Sequence, residues 1–219
     1  DKLDPNSFPH DKVTAVMDAA AKKTYEQLLE THLADYQELY CRVELDLGGA
    51  PSTDTPTGEL VQAYRTGEFD PYLEELLFKY GRYLLIASSR SGTLPANLQG
   101  VWQYYSSGAW GGGYVYNINL QMNYWSCFAT NLAELFGCNI EFFDAIWPTL
   151  EGNADNFLTG IGSPNKTANG TNGIAVGAVG TPYKTPSVDA SIKTHTGPGS
   201  TGYTSSLFWE YYQFTKNEE

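Results

Sequence analysis

The chain has 219 residues, enough to bury a sizeable core in one large domain or two small ones. Its formal net charge is −12, from 13 Lys and Arg against 25 Asp and Glu, a field that repels phosphate polyanions and anionic lipid surfaces and makes nucleic acid a poor partner. No run of about 18 apolar residues occurs, so no helical membrane span is expected.

From Asp11 to Arg42 apolar residues recur at spacings of three and four, first Val13, Val16, Met17 and Ala20, then Tyr25, Leu28, Leu29, Leu33, Tyr36 and Leu39. That period predicts helix. Arg42-Val43-Glu44-Leu45-Asp46-Leu47 alternates strictly and predicts a short half-buried strand ending at Gly48-Gly49. A Pro- and Thr-rich loop to Gly58 and a short helix over 59–65 follow. Asp70 and Pro71 mark the start of the next helix, Asp70 as cap and Pro71 at the first helical position. Leu73, Leu76, Leu77, Tyr80 and Leu84 then form its expected core-facing stripe, with Glu74 and Glu75 complementing the dipole.

Residues 93–116 read as irregular, with Gly111-Gly112-Gly113 inside. Helix is expected over 119–136 and again over 140–158, the latter interrupted at Pro148. The polar, Gly- and Pro-rich stretch 160–202 reads as lid, loop or surface excursion. A last helix is expected from about Tyr203, with Leu207, Phe208, Tyr211 and Tyr212 on one side and no later element to cover them. On that ground the chain is expected to be one piece of a longer polypeptide.

Cys41, Cys127 and Cys138 have no metal-ligand spacing. Their odd number permits at most one disulfide, and buried thiols are the expected state. Asn165-Lys166-Thr167 and Asn169-Gly170-Thr171 are glycosylation sequons, making Asn165 and Asn169 candidate acceptors if the protein is secreted from a eukaryotic cell.

Asn117 and Asn119 are two apart, so on an extended segment their amides point to one side and converge on one small ligand. An Asn does not titrate usefully, but its carbonyl oxygen accepts a hydrogen bond and orients a water. Trp102, Trp110 and Trp125 are candidate walls for a sugar ring, Trp110 foremost because it precedes the Asn pair in the Gly-rich stretch. Asn97 and Gln99 either donate to sugar hydroxyls or pin their own loop. Glu134, Glu141 and Asp144 lie on expected helices in solvated or structural roles, with Glu134 the candidate structural carboxylate near the site. His195 is expected in solvent, and His10 and His32 in structural positions.

Two stretches are specific beyond composition. One runs from Phe78-Lys79-Tyr80-Gly81-Arg82-Tyr83-Leu84-Leu85-Ile86-Ala87-Ser88-Ser89-Arg90 into Gly92-Thr93-Leu94-Pro95-Ala96-Asn97-Leu98-Gln99-Gly100-Val101-Trp102. The other is Tyr116-Asn117-Ile118-Asn119-Leu120-Gln121-Met122-Asn123-Tyr124-Trp125, followed by Thr130-Asn131-Leu132-Ala133-Glu134. Both resemble glycoside hydrolase family 95, the inverting α-L-fucosidases with some α-L-galactosidase members. His32-Leu33-Ala34-Asp35-Tyr36-Gln37 and Arg42 to Gly48 resemble the linker before that family's catalytic barrel.

The resemblance implies a mainly α fold, a partial (α/α)6 barrel with long irregular loops. Residues 1–58 would be linker helices and a short strand, and residues 59–219 the N-terminal portion of the barrel. It implies catalysis by a water held between Asn117 and Asn119, with an activating aspartate and a general-acid glutamate beyond Glu219. Trp110, Asn97, Gln99 and Trp125 would line the substrate, a fucosylated oligosaccharide or polysaccharide, with the remainder of the polypeptide as partner. Neither metal nor organic cofactor is expected, and location is extracellular, or periplasmic in a bacterium. Val115 stands where many members have a histidine, which leaves fucose against galactose open. The competing expectations are a non-catalytic sugar-binding or scaffold protein on the same barrel, and an (α/α)6 disaccharide phosphorylase.

Overall fold

The computed structural model describes residues 9–52, 54–167, 172–181 and 199–217. It is mainly helical. Helices α1 (His10–Ala21), α2 (Tyr25–Tyr40), α3 (Thr57–Arg65) and α4 (Pro71–Ser88) are followed by a two-residue strand β1 (Tyr114–Val115). Then come α5 (Asn119–Ala129), α6 (Gly137–Gly160), strand β2 (Val179–Gly180) and α7 (Gly199–Thr215). No helix among the described residues is long and apolar enough to cross a membrane.

The expected helix over 11–42 is two. Thr24 starts the second with a capping box, its hydroxyl accepting from the Gln27 amide at 3.3 Å while the Gln27 side chain accepts from the Thr24 amide at 3.0 Å. The α4 start is as expected, Asp70 accepting from Tyr72 N at 2.9 Å and Leu73 N at 3.4 Å.

The strand expected over 42–47 does not form, because the segment is tied to a helix and not to another strand. Arg82, buried on α4, donates to the carbonyls of Leu39 at 2.9 Å, Tyr40 at 2.6 Å and Val43 at 3.2 Å. About two turns earlier, the buried carboxylate of Glu75 accepts from Leu47 N at 2.7 Å and Gly49 N at 3.3 Å. A Cβ on Gly49 would sit 2.3 Å from Tyr72 N, so only glycine lets the chain lie this close to α4. These same contacts turn α4 away from its expected stripe. Glu75, Arg82, Leu85 and Ile86 face inward, whereas Leu77 is 72 % and Tyr80 55 % exposed.

The core lies between α5, α6 and α7 around a 3₁₀ turn at Ala133–Phe136, where α5 has already ended and the expected continuous helix is broken. The Phe136 ring centroid is 5.4 Å from Phe128, 5.2 Å from Phe208 and 5.7 Å from Tyr211. Thus the aromatic stripe of α7 is covered after all, by earlier elements. Pro148 does not interrupt α6; it lies with Asp144, whose carbonyl it leaves without a donor, on the exposed face.

Part of the expected loop 160–202 belongs to the core. β2 pairs antiparallel with β1, Tyr114 opposite Gly180 and Val115 opposite Val179. Val176 and Ala178 are buried, and Ala178 O accepts from Tyr116 N at 2.7 Å. Asn169 and His195 lie outside the described residues. Cys127 and Cys138 are buried thiols, whereas Cys41 is exposed, and all three are free.

Candidate functional site

The loop 93–113 is built on one buried phenol. Tyr124, on α5, shares hydrogen bonds with Ser89 Oγ at 2.8 Å and accepts from Ala96 N at 2.8 Å, closing the end of α4 onto the loop. Its neighbour Asn123 donates to Asn97 O at 3.0 Å. Burial pushes the Tyr124 hydroxyl well above the ordinary tyrosine value, so it stays protonated as a bridge.

From that base the chain folds back on itself. Asn97 and Gly100 pair through their backbones, and Asn97 Oδ1 accepts from Gln99 N at 2.8 Å. Gln99 Nε2 donates to Ala109 O at 3.0 Å. Of the two expectations for these carboxamides, pinning the loop is the one with contacts. A Cβ on Gly108 or Gly112 would lie 3.1 or 3.2 Å from Gln99 Oε1. Glycine therefore lets the second loop wrap the Gln99 amide.

Trp110 is held at the crest of that loop. Its φ is 57° and ψ 22°, a left-handed conformation continued by Gly111 and Gly112. For a bulky residue this costs about 1–2 kcal/mol. Its ring is nonetheless 77 % exposed. Trp125 is partly exposed and packs edge-on against Tyr203.

The Asn pair is not on an extended strip, contrary to expectation. Asn117 is in a turn and exposed; Ile118, with φ −166° and ψ −35°, precedes the first helical residue, Asn119, which is half-buried. The two therefore project from the entry to α5, where helical amides have no intrahelical acceptor and the dipole is positive. Among the described residues neither carboxamide makes a side-chain hydrogen bond. Val115 is in β1, directly before this turn.

The carboxylates are committed elsewhere. Glu134 pairs with Arg42, and Arg90 with Asp35 at 2.6 Å, in a charged cleft between α2 and the turn at 133–136 whose lining includes none of the carboxamides above. Glu141 accepts from Ser91 Oγ and from Gly92 N at 2.9 Å. Asp144 is at an apolar cavity of about 320 Å³ between α6 and α7. Glu75 and Tyr124, buried polar anchors beside Arg82, carry no such signal in the sequence: Glu75 is masked by a dipole role, and Tyr124 by its place in an apolar run. His10 and His32 are both exposed, and His32 stacks on Tyr36. Among the described residues no group of three His, Cys, Asp or Glu is placed to hold a metal.

A cavity of about 350 Å³ opens beside the loop, bounded by α4, by Gln99 to Trp102 and by Asn123 and Ser126 of α5. Carboxamides, hydroxyls and a partly exposed indole, with no ionisable side chain among the lining, suit a neutral and hydroxyl-rich ligand.

The comparison with known families is specific. Residues 24–219 match the Glycosyl hydrolase family 95 catalytic domain, and the chain belongs to that family. It is 49 % identical over 128 residues to Probable alpha-fucosidase A of Aspergillus niger, covering 58 % of this chain and 16 % of that protein. To Alpha-L-fucosidase 2 of Arabidopsis thaliana it is 43 % identical over 148 residues, 65 % of this chain and 17 % of the relative. Probable alpha-fucosidase A of Aspergillus oryzae is 41 % identical over 142 residues, 64 % and 20 % of the two. The matched stretch thus spans a fifth or less of each relative.

Proposed function

We propose that the protein containing this chain is an inverting exo-α-L-fucosidase, removing terminal α-linked L-fucose, or L-galactose, from oligosaccharides or polysaccharides. In that reading residues 59–219 are the first portion of an (α/α)6 barrel, residues 1–58 lead into it, and the remainder of the polypeptide completes it. The reading is supported most by one observation: in a member of this family, the Asn117 and Asn119 carboxamides stand without side-chain partners at the entry to α5.

The chemistry follows from what carboxamides can do. An Asn carbonyl oxygen accepts a hydrogen bond from a water and so directs that water's lone pair, while the positive end of α5 favours hydroxide character developing on it. Inversion needs this water on one face of the sugar and a general acid on the other, generally about 6.5–9.5 Å apart. The glutamate acid, and an aspartate that polarises the amides, are assigned to the rest of the barrel. Trp110 stacks on the substrate and Trp125 is a further wall, and Asn97 and Gln99 offer sugar hydroxyls the amide hydrogens that their loop contacts leave over. Val115 offers an apolar wall where a histidine would offer a hydrogen bond, a difference that bears on the methyl of fucose against the hydroxyl of galactose. Secretion, with Asn165 as an exposed acceptor for glycan and Asn169 as a second, completes the reading.

In the full-length protein, Asn119→Ala is expected to lower turnover of aryl α-L-fucoside and aryl α-L-galactoside by about 100-fold or more. The first-formed sugar should carry the β configuration by proton NMR. Unchanged rates remove the Asn pair from the mechanism; an α product removes inversion.

A further inference from the structure

We propose that the 350 Å³ cavity between α4 and α5 is a subsite for the neutral pyranose that leaves when the terminal sugar is cleaved. This rests on the hydrolytic reading above and goes beyond it by saying where the rest of the substrate lies.

Position is the first argument. Asn123 and Ser126 line the cavity and follow Asn119 by four and seven residues, which on a helix is the same face. They lie about 6 and 10 Å further along the axis. The cavity therefore begins one helical turn from the amide assigned to the water. A second sugar ring, joined through the bond being broken, must lie at that kind of remove.

Lining chemistry is the second. Leu84 and Leu85 give an apolar floor and the half-exposed Trp102 a wall. The Trp102 indole lies beside Gly100, 3.5 Å from where a Cβ would be. Asn123 donates through Nδ2 to Asn97 O, which leaves its Oδ1 as an acceptor, and Ser126 Oγ makes no side-chain contact among the described residues. An aromatic face with an acceptor and a hydroxyl beside it, and no charge, matches a pyranose with one apolar face and outward hydroxyls. An acidic sugar or a phosphate finds no cation here.

Gly81 gives the test. It faces the cavity from α4, and a Cβ built on it meets nothing within 4 Å. Gly81→Phe therefore fills the space without an immediate backbone clash, and at a helix-interior glycine a side chain favours the helix. In the full-length protein, Gly81→Phe and Trp102→Ala are assayed with α-L-fucosyl fluoride, whose leaving group has no sugar ring, and with an α-L-fucosyl disaccharide ending in a neutral hexose. The ratio of kcat/KM for disaccharide to that for fluoride is expected to fall about 10-fold in each variant. An unchanged ratio, whether both rates drop together or neither does, overturns the subsite. Asn119→Ala reports on the other reading separately, because it should depress both substrates alike. Where nothing turns over, calorimetry of the disaccharide decides: equal affinity in wild type and Gly81→Phe also overturns the proposal.

Discussion

At the scale of single residues, the loop that carries Trp110 depends on one carboxamide. Gln99 donates to Ala109 O and its oxygen fills the space that Gly108 and Gly112 leave open. A carboxylate at this position keeps the shape but cannot donate, and its charge would face a carbonyl. Gln99→Glu should therefore loosen the Trp110 loop at neutral pH and restore it once the introduced carboxyl is protonated, below about pH 4. Wild-type KM on a fucoside has no such dependence from Gln99, which does not titrate. The expected result is a KM several-fold above wild type at pH 7 that converges on it as pH falls towards 4, with kcat less affected. A KM ratio constant across that range would deny Gln99 this positioning role. That Asn97 and Gln99 belong together with the Gly-rich run was legible in the sequence, because the residue types are those of tight loops. Which of their two roles they fill was not, since it depends on a carbonyl ten residues away.

At the scale of elements, the end of α2 and the segment after it are tied to α4 by polar contacts, not by the core-facing stripe expected on α4. Arg82 closes the C-terminal end of α2, where carbonyls have no helical donor and a cation meets the negative end of the dipole. Its guanidinium also stands 5.5 Å from the Tyr40 ring centroid. Arg82→Met keeps the length and loses all three bonds, leaving the buried Leu39 carbonyl and the part-buried carbonyls of Tyr40 and Val43 without this donor. A cost of about 3 kcal/mol or more is expected, read as a shift in the urea midpoint, with protease cleavage appearing first in 41–49. A loss below about 1 kcal/mol would mean the carbonyls find water and the clamp is ornamental. Periodicity located these helices within a few residues, because caps such as Asp70-Pro71 are local chemistry. It chose the wrong face of α4 because alternation and heptad-like spacing count apolar residues, and the inward face here is centred on Glu75 and Arg82. The same blindness produced a strand at 42–47: Leu45 and Leu47 alternate with charges, yet Leu47 N is bonded to a glutamate.

At the scale of the whole molecule, the core is aromatic, and two of its buried phenols differ sharply in their hydrogen bonds. Tyr124 is bonded to Ser89, Ala96 and, more distantly, Cys138, whereas the Tyr116 hydroxyl is buried with no hydrogen-bond partner among the described residues. Sequence could foresee an aromatic core from 16 Tyr, 10 Phe and 5 Trp, but not which phenol would find a partner, because the packing of α7 on α5 and of 172–181 on β1 and α6 is decided at long range. Burial pushes both hydroxyls far above the ordinary value of 10.0. The sign follows directly. Above pH 10 the unfolded chain releases both protons and the folded chain keeps them, so the stability that is fully present below pH 10 falls as pH rises, by up to about 1.4 kcal/mol per pH unit for each phenol. Tyr116→Phe and Tyr124→Phe should each make that alkaline decline shallower, measured as urea midpoints from pH 8 to 11. They should differ at pH 7. Tyr116→Phe removes an unpaired polar atom and is expected to be neutral or slightly stabilising, while Tyr124→Phe strands Ala96 N and costs about 1–3 kcal/mol. If Tyr116→Phe proved the costlier of the two at pH 7, its hydroxyl would have a partner that the described core does not contain.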